Sequence, residues 1–199
     1  MKLLVIDTGS EYRLGVKTDK GVVDVAAASA VFPDEGGKAP KTVHDAIAGG
    51  EAALRALRSL AERAVGEPTA DYVLPENEVR FGPCVTSPQK IVCIGLNYRK
   101  HAEETKAPIP EYPILFSKFN NALTGHGHDV TLPKTSAEVD YEAELAIVIG
   151  KRAKDVSEEE ALDYVFGYSC ANDLSARDLQ LRTSQWLLGK TCDGFCPLG

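Results

Sequence analysis

No stretch of the 199 residues is apolar for long enough to span a membrane. Basic residues are also in the minority: 22 Lys and Arg stand against 29 Asp and Glu, a net charge of −7, with no Lys/Arg block or stripe. That excludes the electrostatic footprint of a nucleic-acid binder. The opening residues, MKLLVIDTGSEY, have too short an apolar run for a secretory signal and meet Asp7 at once. Five cysteines, Cys84, Cys93, Cys170, Cys192 and Cys196, make an odd set without such a signal, which argues against a disulfide framework. Cys192 and Cys196 lack the second close pair of a structural zinc site. The expectation is a cytoplasmic protein with reduced thiols, no membrane partner and no nucleic-acid partner. A hydrophobic content of 44% and a charged content of 26% are those of an ordinary globular chain.

What is present begins with short strands at 3–7 and 13–18 and a returning strand at Val22–Ala26, joined by the turn signal Asp19-Lys20-Gly21. A loop over 33–41 follows, then a helical pattern from Val43 to Val65, weakened at Gly49-Gly50. Residues 70–90 carry three prolines and little periodicity, so they read as a connection in which 73–74 and 79–81 could be short strands. This first region holds no cluster of reactive side chains.

The second region is organised around Val139–Gly150, a strand pattern that closes on aliphatic residues and a glycine. Glu142 and Glu144 are two residues apart, so both carboxylates face one side, with Tyr141, Ala143, Leu145 and Ile147 on the other. The apolar continuation predicts that the strand enters a core. An isolated Glu-x-Glu is more often the solvent face of an edge strand. Two carboxylates held together near a core, however, repel each other unless a cation lies between them, and Mg2+, Mn2+ or Ca2+ prefers such oxygen ligands.

The flanking segments weigh toward the second reading. Lys90–Gly95 is a buried-strand candidate leading to Arg99, His101 and Glu104, and the last two are neighbours on a helical turn. A carboxylate beside an imidazole suits proton abstraction from water, although His-x-x-Glu alone is also an ordinary solvated helix start. Tyr112–Lys118 is another strand, whose Lys118 would meet an anionic substrate or lie on the surface. His126 and His128 sit between glycines and read as loop residues. Ser157 with Glu160 predicts a capped helix running to Phe166 and ended by Gly167. Tyr168–Asp173 then reads as a strand delivering Asp173, and Ser175 with Asp178 as a second cap, opening a helix toward Trp186. Glu142, Glu144 and Asp173 would supply three oxygen ligands, His101 and Glu104 an activated water, and Lys190 or Lys118 a counter-charge for an oxyanion.

From Lys90 to Gly199 the sequence resembles the fumarylacetoacetate hydrolase family, in the motifs IGLNYRKHAEE, DYEAELAIVIGK, GYSCANDLSARDLQ and GKTCDGFCPLG. The resemblance implies an α+β, mainly β fold: a mixed β-sandwich roll over 88–199, preceded by a small α+β N-terminal domain over 1–80. It implies Mg2+ or Mn2+, with Ca2+ as a substitute, on Glu142, Glu144 and Asp173. His101 and Glu104 become the water-activating dyad, on a segment that closes over the ligand. Lys190 becomes a substrate contact near the metal, and Arg99, Lys118 and Gln180 further contacts. It also implies a homodimer acting on a small anionic oxo acid. The expected reaction is hydrolysis of a carbon–carbon bond in an acylpyruvate or 1,3-diketo acid. The alternatives are oxaloacetate-type decarboxylation, hydroxymuconate isomerisation or a lyase reaction at the same site, or a metal-binding module without turnover. Members of the family continue past CPLG, so these 199 residues are expected to lack further strands of the roll.

Overall fold

In the computed structural model, which describes residues 1–199 and the packing around all of them but Gly36, the chain opens with an antiparallel meander. β1 (Lys2–Asp7), β2 (Tyr12–Thr18) and β3 (Gly21–Asp24) pair in register from Lys2↔Lys17 to Thr18↔Gly21. The third strand stops at Asp24, short of the expected Ala26. The Asp24 carboxylate accepts hydrogen bonds from the amides of Ala26 and Ala27 and so starts α1 (Val25–Val31). A short α2 (Pro33–Gly36) replaces the first part of the expected 33–41 loop, with proline at its first position.

α3 (Val43–Gly66) is opened by a reciprocal cap between Thr42 and Asp45. It kinks at Gly50, whose φ of 51° and ψ of −137° lie in a region that a side chain disfavours. Leu57 and Leu60, one helical turn of apolar face, are buried against Val5, Leu14 and Val23 of the sheet. Truncating either leucine to alanine is the kind of change that removes about 2–5 kcal/mol.

β4 (Val73–Leu74) and β5 (Phe81–Gly82) are the two edges of this sheet, in the order β4-β3-β2-β1-β5. The proline-rich segment read as a connection therefore supplies both edge strands.

The remaining elements are helices and strands, the strands pairing mostly two by two. In chain order they are β6 (Val92–Gly95), α4 (Arg99–Glu104), β7 (Ile114–Ser117), β8 (Leu123–Thr124), β9 (Val139–Asp140), β10 (Ala143–Ile149), β11 (Val165–Asn172), β12 (Ser175–Ala176), α5 (Arg177–Gln180), α6 (Leu187–Lys190) and β13 (Cys196–Pro197). They pair as β6–β7, β9–β12 and β10–β11, all antiparallel, and β8–β13, parallel. Phe195, Ala122 and Ala176 form the centre of a small buried cluster where β8, β12 and β13 meet. Phe166 of β11 reaches the core of the N-terminal sheet. The two parts of the chain also meet where Gly125 lies on β5.

Five expectations are corrected here. The strand at 139–150 is two strands, because Val139 and Asp140 pair with β12 while β10 pairs with β11, leaving Tyr141 and Glu142 at the crossing. β10 does not become apolar-buried on both faces: Leu145, Ile147 and Ile149 are 59%, 51% and 55% exposed, since nothing among the described residues packs over them. Val92 and Ile94 of β6 are likewise exposed. The Ser157–Glu160 contact forms, yet a 3₁₀ turn at Ala161–Tyr164 takes the place of the expected helix, and Gly167 lies within β11. Ser175 belongs to β12 and donates to the Asp173 carbonyl, so the helix toward Trp186 is reduced to α5 and α6. Among the described residues no helix is long and apolar enough to cross a membrane.

A methyl group at Gly125 would stand 1.8 Å from the Phe81 carbonyl oxygen, whereas one at Gly66 would meet nothing within 4 Å. Gly125→Ala is therefore expected to lower unfolding free energy by about 1–3 kcal/mol. Gly66→Ala should be neutral or raise it by up to about 1 kcal/mol. Urea denaturation of the two variants checks this, and equal effects would contradict the close approach of the loop to β5.

Candidate active site

The crossing between β9 and β10 creates the site. Glu142 leaves the ladder there, its amide donating to Asn172 Oδ1 at 3.1 Å and its carbonyl accepting from the Asp173 amide at 2.9 Å. Those two bonds, one to the Asn172 side chain and one between backbones, set Glu142 and Asp173 side by side at the ends of β10 and β11. α6 then brings Lys190, only 2% exposed, between them: its Nζ donates to Glu142 Oε2 at 2.7 Å and to Asp173 Oδ2 at 3.0 Å. The same ammonium lies 5.0 Å from the centre of the Phe116 ring, a cation–π contact. Removing one partner from a buried pair of this kind removes about 3–5 kcal/mol, because the other charge is left uncompensated.

Arg177 closes the far side of Glu142. Its Nη2 lies 2.7 Å from Glu142 Oε1 and 2.8 Å from Asp140 Oδ2, and its Nη1 donates to Gln180 Oε1 at 3.0 Å. Burial disfavours the Glu142 carboxylate, but Lys190 and then Arg177 outweigh it and hold the group below the usual carboxylate range. Asp140 is held low chiefly by its hydrogen bond to Arg177. Glu144, two residues on and inside β10, moves the other way. Burial raises it, a hydrogen bond from the Tyr98 phenol opposes this, and the charges of Glu142 and Asp173 raise it again.

Lys118 is neither on the surface nor free to meet a substrate. It is 3% exposed at the end of β7, and its ammonium donates to the carbonyls of Leu174 at 3.0 Å, Phe195 at 2.9 Å and Lys190. It also stands 2.6 Å from Asp173 Oδ1, yet that oxygen, fully buried, receives no hydrogen bond.

The structure thus brings Glu142, Asp173, Lys190, Lys118 and Gln180 into one buried cluster, with Glu144 at its edge. His101 and Glu104 share α4, and His101 is near enough to Asp140 for its charge to favour that carboxylate. Among the described residues no hydrogen bond or ion pair joins His101 to Glu104, or Arg99 to the carboxylates. Three participants escaped the sequence reading: Arg177, Asp140 and Tyr98. The signal for the first two is the β9–β12 register, which sets Ser175 opposite Asp140 and so brings Arg177 beside it. That is a nonlocal pairing, with no mark in the local pattern. His126 and His128 serve the junction with the first sheet instead: Phe81 meets the His126 ring edge to face, and His128 lies between Arg80, Thr124 and Asp7.

Four carboxylates face three cations here, and the fit to a divalent ion can be read from the donors. Asp173 Oδ1 is a buried carboxylate oxygen that accepts no hydrogen bond and has the Lys118 ammonium as its ion-pair neighbour, and Glu142 and Glu144 lie within electrostatic reach of it. This is a hard, oxygen-only set. As arranged, no group of three or more His, Cys, Asp or Glu side chains among the described residues stands ready to hold a metal ion. The Lys190 ammonium lies between two of the candidate ligands, and Glu144 is turned to Tyr98.

Residues 90–199 match the family described as fumarylacetoacetate (FAA) hydrolase C-terminal. The human mitochondrial oxaloacetate tautomerase FAHD2A is 48% identical over 162 residues, covering 80% of this chain and 50% of its own length. The structure of maleylpyruvate hydrolase from Sphingobium sp. SYK-6, in complex with manganese(II) ion and pyruvate, superposes on all of this chain and 65% of its own, with TM-score 0.70 and 28% identity. The 5-carboxymethyl-2-hydroxymuconate delta-isomerase from Mycobacterium smegmatis does so over 64% of its length, with TM-score 0.65 and 28% identity. The chain spans about half the length of the human relative and about two thirds of these solved structures.

Cys93 offers a check on the geometry. Burial, and then the charge of Asp173, push its thiol up to about 12. At pH 8 it should carry on the order of a thousandfold less thiolate than an ordinary cysteine near 8.5. Mass-spectrometric labelling with iodoacetamide should modify exposed Cys170 and leave Cys93 intact, and Asp173→Asn should speed the reaction at Cys93. Equal labelling of the two in the unaltered protein would contradict the placement of Cys93 beside Asp173.

Proposed function

Because the chain belongs to the fumarylacetoacetate hydrolase family, we propose that it carries the active site of an enzyme for small 2-oxo acids. The reaction proposed is proton transfer between the keto and enol forms of an oxaloacetate-like dicarboxylate. The observation that carries this reading is the buried grouping of Glu142 and Asp173 about Lys190, with Arg177 against Glu142. The 48% identity to an oxaloacetate tautomerase supports the choice of reaction over the others that its relatives catalyse.

Glu142, Glu144 and Asp173 would hold the divalent cation, Mg2+ or Mn2+. When bound, such an ion supplies Lewis-acid withdrawal of electrons from the 2-oxo group. The manganese of the maleylpyruvate hydrolase structure supports a divalent ion without choosing between the two. Lys190 Nζ, paired here with two of these carboxylates, would hydrogen-bond the oxygen on which negative charge develops. Arg177 keeps Glu142 ionised and oriented. The His101 imidazole takes the proton from the carbon next to the oxo group and returns one there in the reverse direction, while the enol oxygen exchanges its proton with water. In this proposal the N-terminal unit, expected to end at residue 80 but extended to 82 by the pairing of β5 with β1, forms a separate domain beside the catalytic one, and the protein acts as a homodimer.

Carbon–carbon hydrolysis of an acylpyruvate is the second reading. It is favoured by the position of His101 and Glu104 on one turn of α4, where both could address the same water.

The test follows ultraviolet loss of the enol of oxaloacetate, with Mn2+ or Mg2+, against the rate due to the ion alone. Acceleration that EDTA removes is expected, and Glu142→Ala should abolish it. His101→Ala should lose about 10²–10⁴-fold. Acetylpyruvate cleavage with no effect on oxaloacetate would replace the first reading by the second. No acceleration of either would contradict both.

A further inference from the structure

Lys118 has more oxygen neighbours than protons. An ammonium carries three N–H bonds. Its Nζ lies within hydrogen-bonding distance of three backbone carbonyls, those of Leu174, Lys190 and Phe195, and 2.6 Å from Asp173 Oδ1. The three carbonyls match the three N–H bonds in number, and the Asp173 oxygen is a fourth neighbour, in ion-pair contact with the same ammonium. The side chain is 1% exposed, so no donor is left for a substrate carboxylate and no path leads solvent to it.

The three carbonyls come from separate segments, and two of those segments carry the site. Leu174 follows Asp173 directly, Lys190 is the residue whose own ammonium pairs with Glu142 and Asp173, and Phe195 precedes β13. Three carbonyl oxygens aimed at one buried point repel each other, as do their dipoles and the Asp173 carboxylate, unless a cation sits among them. A bound monovalent ion would meet that need. Here the chain supplies the cation itself.

We infer that Lys118 is a positioning residue, a tethered structural cation that gathers the carbonyls of Leu174, Lys190 and Phe195 around Asp173 and does not bind substrate. It sets a positive charge 2.6 Å from Asp173 Oδ1 while its protons face the three carbonyls. The inference rests on the proposed reading only in taking Asp173 as part of the divalent-cation set.

Lys118→Ala removes a propylammonium equivalent and leaves an oxygen-lined space of the same shape. In this variant the Mn2+ affinity, measured by calorimetry, should fall about 10–100-fold, and the thermal midpoint should fall with it. Propylammonium chloride should restore both, whereas tetramethylammonium chloride at the same ionic strength, lacking N–H donors, should restore neither. Unchanged Mn2+ affinity with a raised KM for oxaloacetate and an unchanged kcat would overturn the inference, because that is the signature of a substrate contact. Failure of propylammonium to restore the midpoint would overturn it as well.

If the variant does not fold, the unaltered protein gives the answer. The Lys118 ¹⁵Nζ ammonium resonance should exchange slowly and stay in place when pyruvate is added. A shift of that resonance on adding pyruvate would overturn the inference. The midpoint and exchange measurements need no metal, so a protein that binds no Mn2+ would fail the proposed function while leaving Lys118 testable.

Discussion

The contact on which the second half of the molecule depends is the Lys190 ammonium held between Glu142 and Asp173. Neither carboxylate could be buried at the ends of β10 and β11 without a counter-charge, and the lysine could not be 2% exposed without its two acceptors. Satisfying both forces α6 to pack over the ends of these strands. The small helices around the site are too short to be stable on their own and are held by this charge pairing and by tertiary contacts. Gly189 shows how close the packing is: a methyl group there would lie 2.5 Å from the Ala176 carbonyl. Arg177 and Lys118 extend the same arrangement outward, so charge pairing as much as apolar burial shapes this part of the fold.

The first sheet is held in a different way. Val5, Leu14 and Val23 meet Leu57 and Leu60 in an ordinary apolar core, and polar groups there act at ends and turns, as Asp24 does at the start of α1. Its union with the rest of the chain uses close backbone approach at Gly125, the apolar reach of Phe166, and the polar contacts of His128 with Arg80 and Asp7.

How far the sequence could be read follows from the range of the forces involved. The meander, the start of α3 at Val43 and the break at Gly49-Gly50 were legible, because turn residues and helical spacing act locally. So was the delivery of Asp173 by a strand, since alternation in β11 needs no distant partner. Lys118 was not legible: its carbonyl partners lie 56, 72 and 77 residues away, and a lysine at a strand end looks the same whether it is solvated or caged. The helix expected after Ser157 failed although its cap formed, because Val165 onward pairs with β10 and tertiary pairing outweighed a local propensity. The apolar face of β10 read as core, but within this chain it faces outward.

The central claim, that the carboxylates around Lys190 form a divalent-cation site, is tested most directly by anomalous diffraction at the manganese edge from crystals grown with Mn2+. The account predicts one strong peak bounded by Glu142, Glu144 and Asp173, with the Lys190 ammonium no longer between Glu142 and Asp173. Manganese bound only elsewhere, or none bound while Lys190 still bridges the two carboxylates, would contradict it.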